Sequence, residues 1–389
     1  MAKSSIQDTL SRQVAEILPG KEGLEKLMRK KKIRLYLGID PTSPFLHLGH
    51  AVILRKLRQF QDLGHEVVLL FGTFTAKIGD PSGKDKRREP LSDAQIKQNM
   101  ATYKNQAAKI LDISKVTIRK NGEWLDKMKF DDVLRLTSQV TVSQLLERDM
   151  FQQRIKEGNE IWTHELLYPL MQGYDSVAMD VDLEVGGTDQ TFNMLVGRKL
   201  QKTYNNKEKY VLTVPLLLGL DGRKMSKSLG NTVNILDSPK DMYGKIMSLQ
   251  DNLVVHYFEM CTNVAAEKVA AIEKGMKPRD MKAALAREIV GLYYGAKEAN
   301  AAEEEFNNVF REKQTPSEVT EIKLSEKELS LVDLLIKTGL AKSKSEARRL
   351  IEQGGMKINN QVQEDANRVV SIASGMVVQA GKRRFVKIT

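Results

Sequence analysis

Cysteine is almost missing from this sequence: one residue, Cys261, in a chain of 389. A single thiol excludes an internal disulfide and any multi-cysteine metal site, and it fits a reducing, cytoplasmic setting. No apolar run approaches the length of a membrane span, and the opening "MAKSSIQDTLSRQ" lacks the hydrophobic region of a signal peptide. Internal repeats and low-complexity segments are absent too. What the chain does carry is positive charge, a formal +11, which points to a polyanionic partner: nucleic acid, nucleotide or acidic membrane. Its 41% hydrophobic content over this length can fill the cores of two to three domains.

Over the first ~230 residues strand-like and helix-like stretches alternate, the pattern of a parallel α/β sheet. "IRLYLGI" (residues 33–39) predicts a buried strand. The helix after it places Ile53, Leu54, Leu57 and Phe60 on one face and stops at Gly64. "HEVVLLFGTF", "VDLEVGG" and "YVLTVPLLLGL" predict three more strands, while residues 91–111 and 130–157 read as helices. Beyond about residue 239 the strand signal gives way to charged, Ala-rich helical stretches. A polar stretch around Thr315-Pro316 reads as a linker.

Residues 330–389 form a further unit. A short helix is closed by Gly339, and Ser343 with Glu346 makes a capping box for a second that ends at Gly354. Short strands with Asn-Asn and Ala-Gly turns follow. Eleven Lys/Arg stand here against five Asp/Glu, so about +6 of the +11 lies in this unit.

Where the first strand becomes a helix the chain reads "DPTSPFLHLGH". A helix N-terminus at a strand's end is where α/β folds bind ligands, because backbone N–H groups and the helix dipole face the cavity. His47 and His50 lie one turn apart on one face and can donate to phosphate oxygens, and Gly49 lets a ligand approach the backbone. For such a pair alone, two surface histidines, or a metal pair lacking its other ligands, are together the commoner reading, and "HLGH" by itself is a weak signal. About 175 residues on, "GRKMSKSLGN" is a cationic, Gly-flanked loop after a strand. Lys224 and Lys227 there suit the neutralisation of pyrophosphate charge in a transition state. A solvated turn remains the other reading.

In this order, "HLGH" and "KMSKS" resemble the paired signatures of class I aminoacyl-tRNA synthetases. "LYLGIDPTSPFLHLGH", "IGDPSGK", "YPLMQGYD" and "GGTDQTFN" resemble the bacterial tyrosyl type within that class. The resemblance covers essentially the whole chain. It implies a Rossmann-type parallel-sheet catalytic domain over residues 1–233, with a dimer-interface insertion at about 113–158. An α-helical anticodon-side domain (234–312), a linker (313–329) and a small α+β RNA-binding domain of the S4 type (330–389) would follow. Departures from the commonest pattern are small: Leu48 in the first motif, and Thr188 with Thr191-Phe192 in "GGTDQTF". None removes a functional group.

The same resemblance implies roles. Tyr36 and Asp175 would bracket a tyrosine hydroxyl, and a site holding such a pair rejects phenylalanine because its polar groups would be left unpaired. Asp80, Tyr168 and Gln172 would hold the ammonium, with Tyr168 and Gln172 on one helical face, and Gln190 would lie near the carboxylate. Asp40, Gly49, Gly187 and Asp189 would meet ATP, with Lys227. Thr42, His47, His50, Lys84, Arg88, Lys224 and Lys227 would serve the phosphates. Lys342, Lys344, Arg348, Arg349 and Lys357, with Arg383 and Arg384, would grip RNA. The partners implied are L-tyrosine, ATP with Mg2+, tRNA(Tyr) and a second copy of the chain, with no membrane and no dedicated metal site. A tryptophanyl relative, a non-catalytic RNA-binding protein on the same fold, and a small-molecule adenylyltransferase are the competing readings.

Overall fold

A computed structural model describes residues 5–82, 91–225, 229–310, 320–381 and 384–389. The chain divides into two compact units, Met1–Ala299 and Asn300–Thr389.

The first unit is built on a six-stranded sheet, β1 (Glu16–Leu18), β2 (Arg34–Ile39), β3 (Glu66–Phe71), β4 (Val116–Lys120), β5 (Leu183–Gly187) and β6 (Tyr210–Val214), in the order β1-β6-β5-β2-β3-β4. All four strands expected from the sequence are present and parallel. The sheet as a whole is mixed, which corrects the all-parallel expectation: β1 runs antiparallel to β6 along one edge. At three residues it is too short to carry a periodic signal, and a lone antiparallel edge on a parallel sheet is common. On the opposite edge β4 pairs parallel with β3; "VTIRK" offers only partial burial and no long apolar run.

Apolar strands on both sides of the sheet's centre explain its burial: Leu35, Tyr36, Val67, Leu69, Leu183 and Leu212 are all essentially inaccessible. Helix Leu48–Asp62 turns Leu48, Ala51, Val52, Leu54, Leu57 and Phe60 inward, and Gly64 (φ 85°) ends it in the left-handed region. The chain leaves β2 towards β3 on one side, whereas β5 and β6 lie on the other. The order therefore reverses between β2 and β5, and a crevice opens at the carboxyl ends of those strands.

The long helices expected over 91–111 and 130–157 are instead broken, into Asp93–Met100 and Tyr103–Ala107, and into Phe130–Thr137, Val142–Leu146 and Asp149–Lys156. Polar caps inside the apolar pattern account for part of this. Thr141 pairs reciprocally with Gln144, restarting a helix where periodicity alone would continue one. After residue 238 the unit is helical, as expected. Arg12 and Gln13 tie that part to the N-terminal segment by donating to the carbonyls of Thr262, Val264, Glu259 and Met260.

The second unit holds a five-stranded sheet, with β10 (Gln361–Gln363), β9 (Met356–Ile358), β12 (Val377–Ala380), β13 (Arg384–Ile388) and β7 (Thr320–Ile322) in that order; β8 (Glu328–Ser330) and β11 (Val369–Ser371) form a separate ribbon. Its own core joins Leu331, Leu334, Leu335, Ala347, Ile351, Met356 and Val378. Helices Leu331–Lys337 and Lys344–Glu352 stand where expected. Ser343 caps the second, but the Glu346 carboxylate accepts from Lys342 N and not from Ser343 N. Asn359 and Asn360, both at positive φ, make the two-residue turn between β9 and β10.

Candidate active site

The crevice widens into a cavity of about 980 Å³ lined from both sheet halves. One wall is the corner between β2 and helix Leu48–Asp62. Helices Asp93–Met100 and Tyr103–Ala107 hold this loop from behind: Asn99, Thr102 and Gln106 donate to the carbonyls of Pro41 and Pro44, and Gln106 Oε1 accepts from Leu46 N.

His47 is the N-cap. Its Nδ1 accepts from Gly49 N at 3.2 Å, and His50 Nδ1 accepts from His47 N at 3.2 Å. With both Nδ1 atoms used as acceptors, each neutral ring carries its proton on Nε2. Burial lowers the histidine pKa values, to about 4 for His50 and, with His50 alongside, to about 2 for His47. Both rings line the cavity as neutral donors. A side chain at Gly49 would meet the His47 ring at 3.0 Å, so glycine leaves that ring its place.

The far wall comes from the second motif. Lys224 pairs with Asp189 at 3.2 Å, and a Cβ on Gly49 would lie 3.6 Å from Met225 Sδ. Past the loop, Val233 and Ile235 bond back to Leu48 and Leu46. Met225 and Leu229 therefore line the same cavity as His47. Lys227 itself lies outside the described residues, as do Lys84, Arg88 and Arg383.

The floor is polar. Tyr168, Gln172 and Asp175 share one face of helix Thr163–Met179. Tyr168 donates to Asp40 Oδ2 at 2.9 Å, and Thr75 donates to Asp40 Oδ1 at 2.7 Å. Asp80 accepts from Gln190 Nε2 at 2.7 Å and from Ser82 N at 2.9 Å. Thr42, Gly187, Asp189 and Gln190 complete the lining. A Cβ on Gly72 would fall 1.9 Å from Asp40 Oδ1 and 2.3 Å from Thr75 Oγ1. Gly72→Ala is expected to destabilise the chain by roughly 1–3 kcal/mol, read as a lower Tm, and to displace Asp40.

Tyr36 stands apart. It is fully buried, bonds Ser176 Oγ at 2.9 Å, and is not part of the cavity surface. Burial, with Glu184 and Asp175 nearby, raises its pKa well above the ordinary phenol value. Asp175 does reach the cavity; burial pushes its carboxyl upward, while donation by Trp124 Nε1 at 2.8 Å and Asn121 Nδ2 at 3.3 Å opposes this. Asn121, Trp124, Glu184, Asn193 and Lys209 were not foreseen. Two of them had a sequence signal: Glu184 is a lone glutamate in the apolar run "VDLEVGG", and Asn193 ends the stretch "GGTDQTFN". In the second unit Lys342, Lys344, Arg348, Arg349 and Arg384 are exposed, and Lys357 is half-buried.

Three comparisons bear on this arrangement. Residues 28–311 match the family model for class I tRNA synthetases (W and Y), and residues 312–388 match a tyrosine–tRNA ligase SYY-like C-terminal domain. Tyrosine–tRNA ligases of Thermotoga maritima and Moorella thermoacetica are each 47% identical to the chain. The first alignment spans 98% of this chain and 96% of the relative, the second 97% and 94%. A C-terminally truncated mitochondrial tyrosyl-tRNA synthetase from Aspergillus nidulans superposes with a TM-score of 0.66 at 25% identity, covering 79% of this chain and 94% of that one. The fold of the Archaeoglobus fulgidus tyrosyl-tRNA synthetase matches with a TM-score of 0.61 over 77% of this chain and 100% of that one. The chain thus belongs to the class I tRNA synthetases, in the family of the W and Y enzymes.

Proposed function

We infer that the chain is a tyrosine–tRNA ligase. It activates L-tyrosine with ATP to tyrosyl-adenylate and pyrophosphate, then passes the tyrosyl group to the terminal adenosine of tRNA(Tyr). The observation that carries the reading is the meeting, in one cavity, of two neutral imidazole donors with the segments that flank Lys227.

In the first step the tyrosine carboxylate attacks the α-phosphate in line and pyrophosphate leaves. Such chemistry can run on positioning and charge stabilisation, without a covalent nucleophile. His47 and His50 donate from Nε2 to phosphate oxygens; neutral at pH 7 and with Nδ1 engaged, they are donors and not bases. Thr42, Lys84, Arg88, Lys224 and Lys227 serve the same leaving group. Asp40, Gly49, Gly187 and Asp189 hold the nucleotide, with Lys227. Magnesium enters as the MgATP complex. The cavity carboxylates Asp40, Asp80 and Asp175 already accept from protein donors.

At the amino-acid end Asp80, Tyr168 and Gln172 take the ammonium, Gln190 lies near the carboxylate, and Asp175 accepts from the phenol with Tyr36 completing its surroundings. Trp124 fixes that acceptor. Trp124→Phe removes one donor to the buried Asp175 and is expected to cost about 1–2 kcal/mol of tyrosine binding. Discrimination against phenylalanine should narrow by about tenfold, read as the ratio of kcat/KM values for the two amino acids.

The residues 330–389 act as an S4-type RNA-binding domain, with Lys342, Lys344, Arg348, Arg349 and Lys357 towards the polyanion. The helical part after residue 233 lies on the anticodon side. A homodimer is the expected assembly, formed through the insertion at about 113–158. Its apolar side chains Phe130 (75% exposed), Val142 (59%), Leu134 (52%) and Ile155 (50%) support this. A cytoplasmic location goes with the function. ATP–pyrophosphate exchange against all twenty amino acids tests the reading. Exchange with tyrosine is expected; exchange with tryptophan in its place, or with no amino acid, would overturn it.

A further inference from the structure

Under the Gln172 side of the cavity lies a buried ion pair that none of these roles uses. Lys209 is fully buried, and its Nζ donates to the Glu184 carboxylate, to Ser176 Oγ at 2.7 Å and to the Met194 carbonyl at 3.2 Å. Glu184 is 2% exposed and reaches the cavity, and its Oε1 accepts from Gln172 Nε2 at 3.1 Å. Stability alone does not require such a pair, since well-packed apolar residues in its place would do as well or better.

Its consequence is directional. A carboxylate accepts and cannot donate, so the Gln172 amide must offer Glu184 its NH2. Gln172 Oε1 is then turned away, accepting from Asn193 Nδ2 at 2.9 Å and keeping a second lone pair. Asn193 Nδ2 also donates to Gln190 Oε1 at 3.1 Å, and Gln190 Nε2 to Asp80 at 2.7 Å. Donor and acceptor directions are thus set along the whole row from Lys209 to Asp80. We propose that the Lys209–Glu184 pair is a positioning device that fixes the Gln172 carboxamide with its oxygen available to the substrate's ammonium. This rests on Gln172 taking that ammonium.

Glu184→Gln tests it with almost no change of shape. Lys209 only donates, so it captures the introduced amide's oxygen and leaves the NH2 facing Gln172. Gln172 must then turn its own oxygen inward and its NH2 towards the ammonium. In pyrophosphate exchange the KM for tyrosine should rise about ten- to hundredfold, with the KM for ATP changed by less than about twofold. Inhibition by tyramine, which keeps the amine, should weaken in parallel. Inhibition by 3-(4-hydroxyphenyl)propionate, which lacks it, should stay within about twofold of wild type. Adding Lys209→Met frees the introduced amide to turn its oxygen to Gln172 and its NH2 to Ser176 Oγ, which lies 3.4 Å from Glu184 Oε2, so the double variant should recover tyrosine binding.

Equal weakening of all three ligands would show a packing role and overturn the proposal. Unchanged tyrosine binding, or a double variant as weak as the single, would do so too. If Glu184→Gln does not fold, the double variant decides by itself: near wild-type KM supports the device, and a tenfold rise in a folded protein overturns it. Failure of the underlying reading shows separately, as wild-type protein that does not exchange pyrophosphate with tyrosine.

Discussion

His47→Ala is expected to lower the rate of tyrosyl-adenylate formation by about two to three orders of magnitude and to leave tyrosine affinity nearly unchanged. The size follows from removing one donor that acts mainly in the transition state, about 2.7–4 kcal/mol. The ring is built to donate: Nδ1 is occupied by Gly49 N, and burial keeps the imidazole neutral, with its pKa down at about 2. His47 is also the N-cap of helix Leu48–Asp62. Alanine there costs a further ~1 kcal/mol of stability, which asparagine, a good cap, should largely restore. His47→Asn is therefore expected to regain the wild-type Tm without regaining the rate. That contrast separates the chemical role from the capping role.

The depressed histidine pKa values also fix the sign of the pH dependence. Their folded-state values lie below the unfolded value of about 6.5. On acidification the unfolded chain therefore binds protons first. The stability these two rings contribute is complete above about pH 6.5 and is lost progressively as pH falls, down to about 4 for His50 and on to about 2 for His47. Exchange activity should show no limb near 6.5 from either ring.

Deleting residues 330–389 is expected to abolish transfer to tRNA while adenylate formation continues. The deleted part has its own core, around Leu334, Ile351 and Val378, and belongs to a different compact unit from the cavity. Its loss removes no residue that lines the β2–β5 crevice. What goes with it is a set of exposed cations before and along helix Lys344–Glu352, among them Lys342, Lys344, Arg348 and Arg349. Binding through phosphate contacts releases counterions, so charging by the full chain should fall steeply with salt. Exchange, which needs no RNA, should not follow that slope. If the truncated chain still charges tRNA, the role given to this unit fails.

Much of this was legible in the sequence, and the reasons differ by element. Strands β2, β3, β5 and β6 are near-continuous apolar runs, as strands covered on both faces must be. The histidine corner announces itself because a strand, a glycine and a helix start coincide there. The three-residue β1 and the half-exposed β4 left no such trace, and internal caps such as Thr141 broke helices that periodicity joined. The residues that hold the site's polar groups in place were hidden for another reason. Trp124 and Asp175 lie 51 positions apart, and Glu184 and Lys209 lie 25 apart. Pairings of that kind are made by the fold and have no period. Tyr36 shows the reverse case: its motif was recognisable, but only coordinates place its hydroxyl against Ser176, behind the cavity surface.

If imidazoles and ammonium groups from the two motifs act on one departing pyrophosphate, their losses cannot be independent. Single-turnover adenylate formation by His47→Ala, Lys227→Ala and the double variant measures this directly. The double variant is expected to lose well short of the product of the two single losses, a coupling of at least about 1 kcal/mol. Strictly multiplicative losses would contradict a shared leaving group.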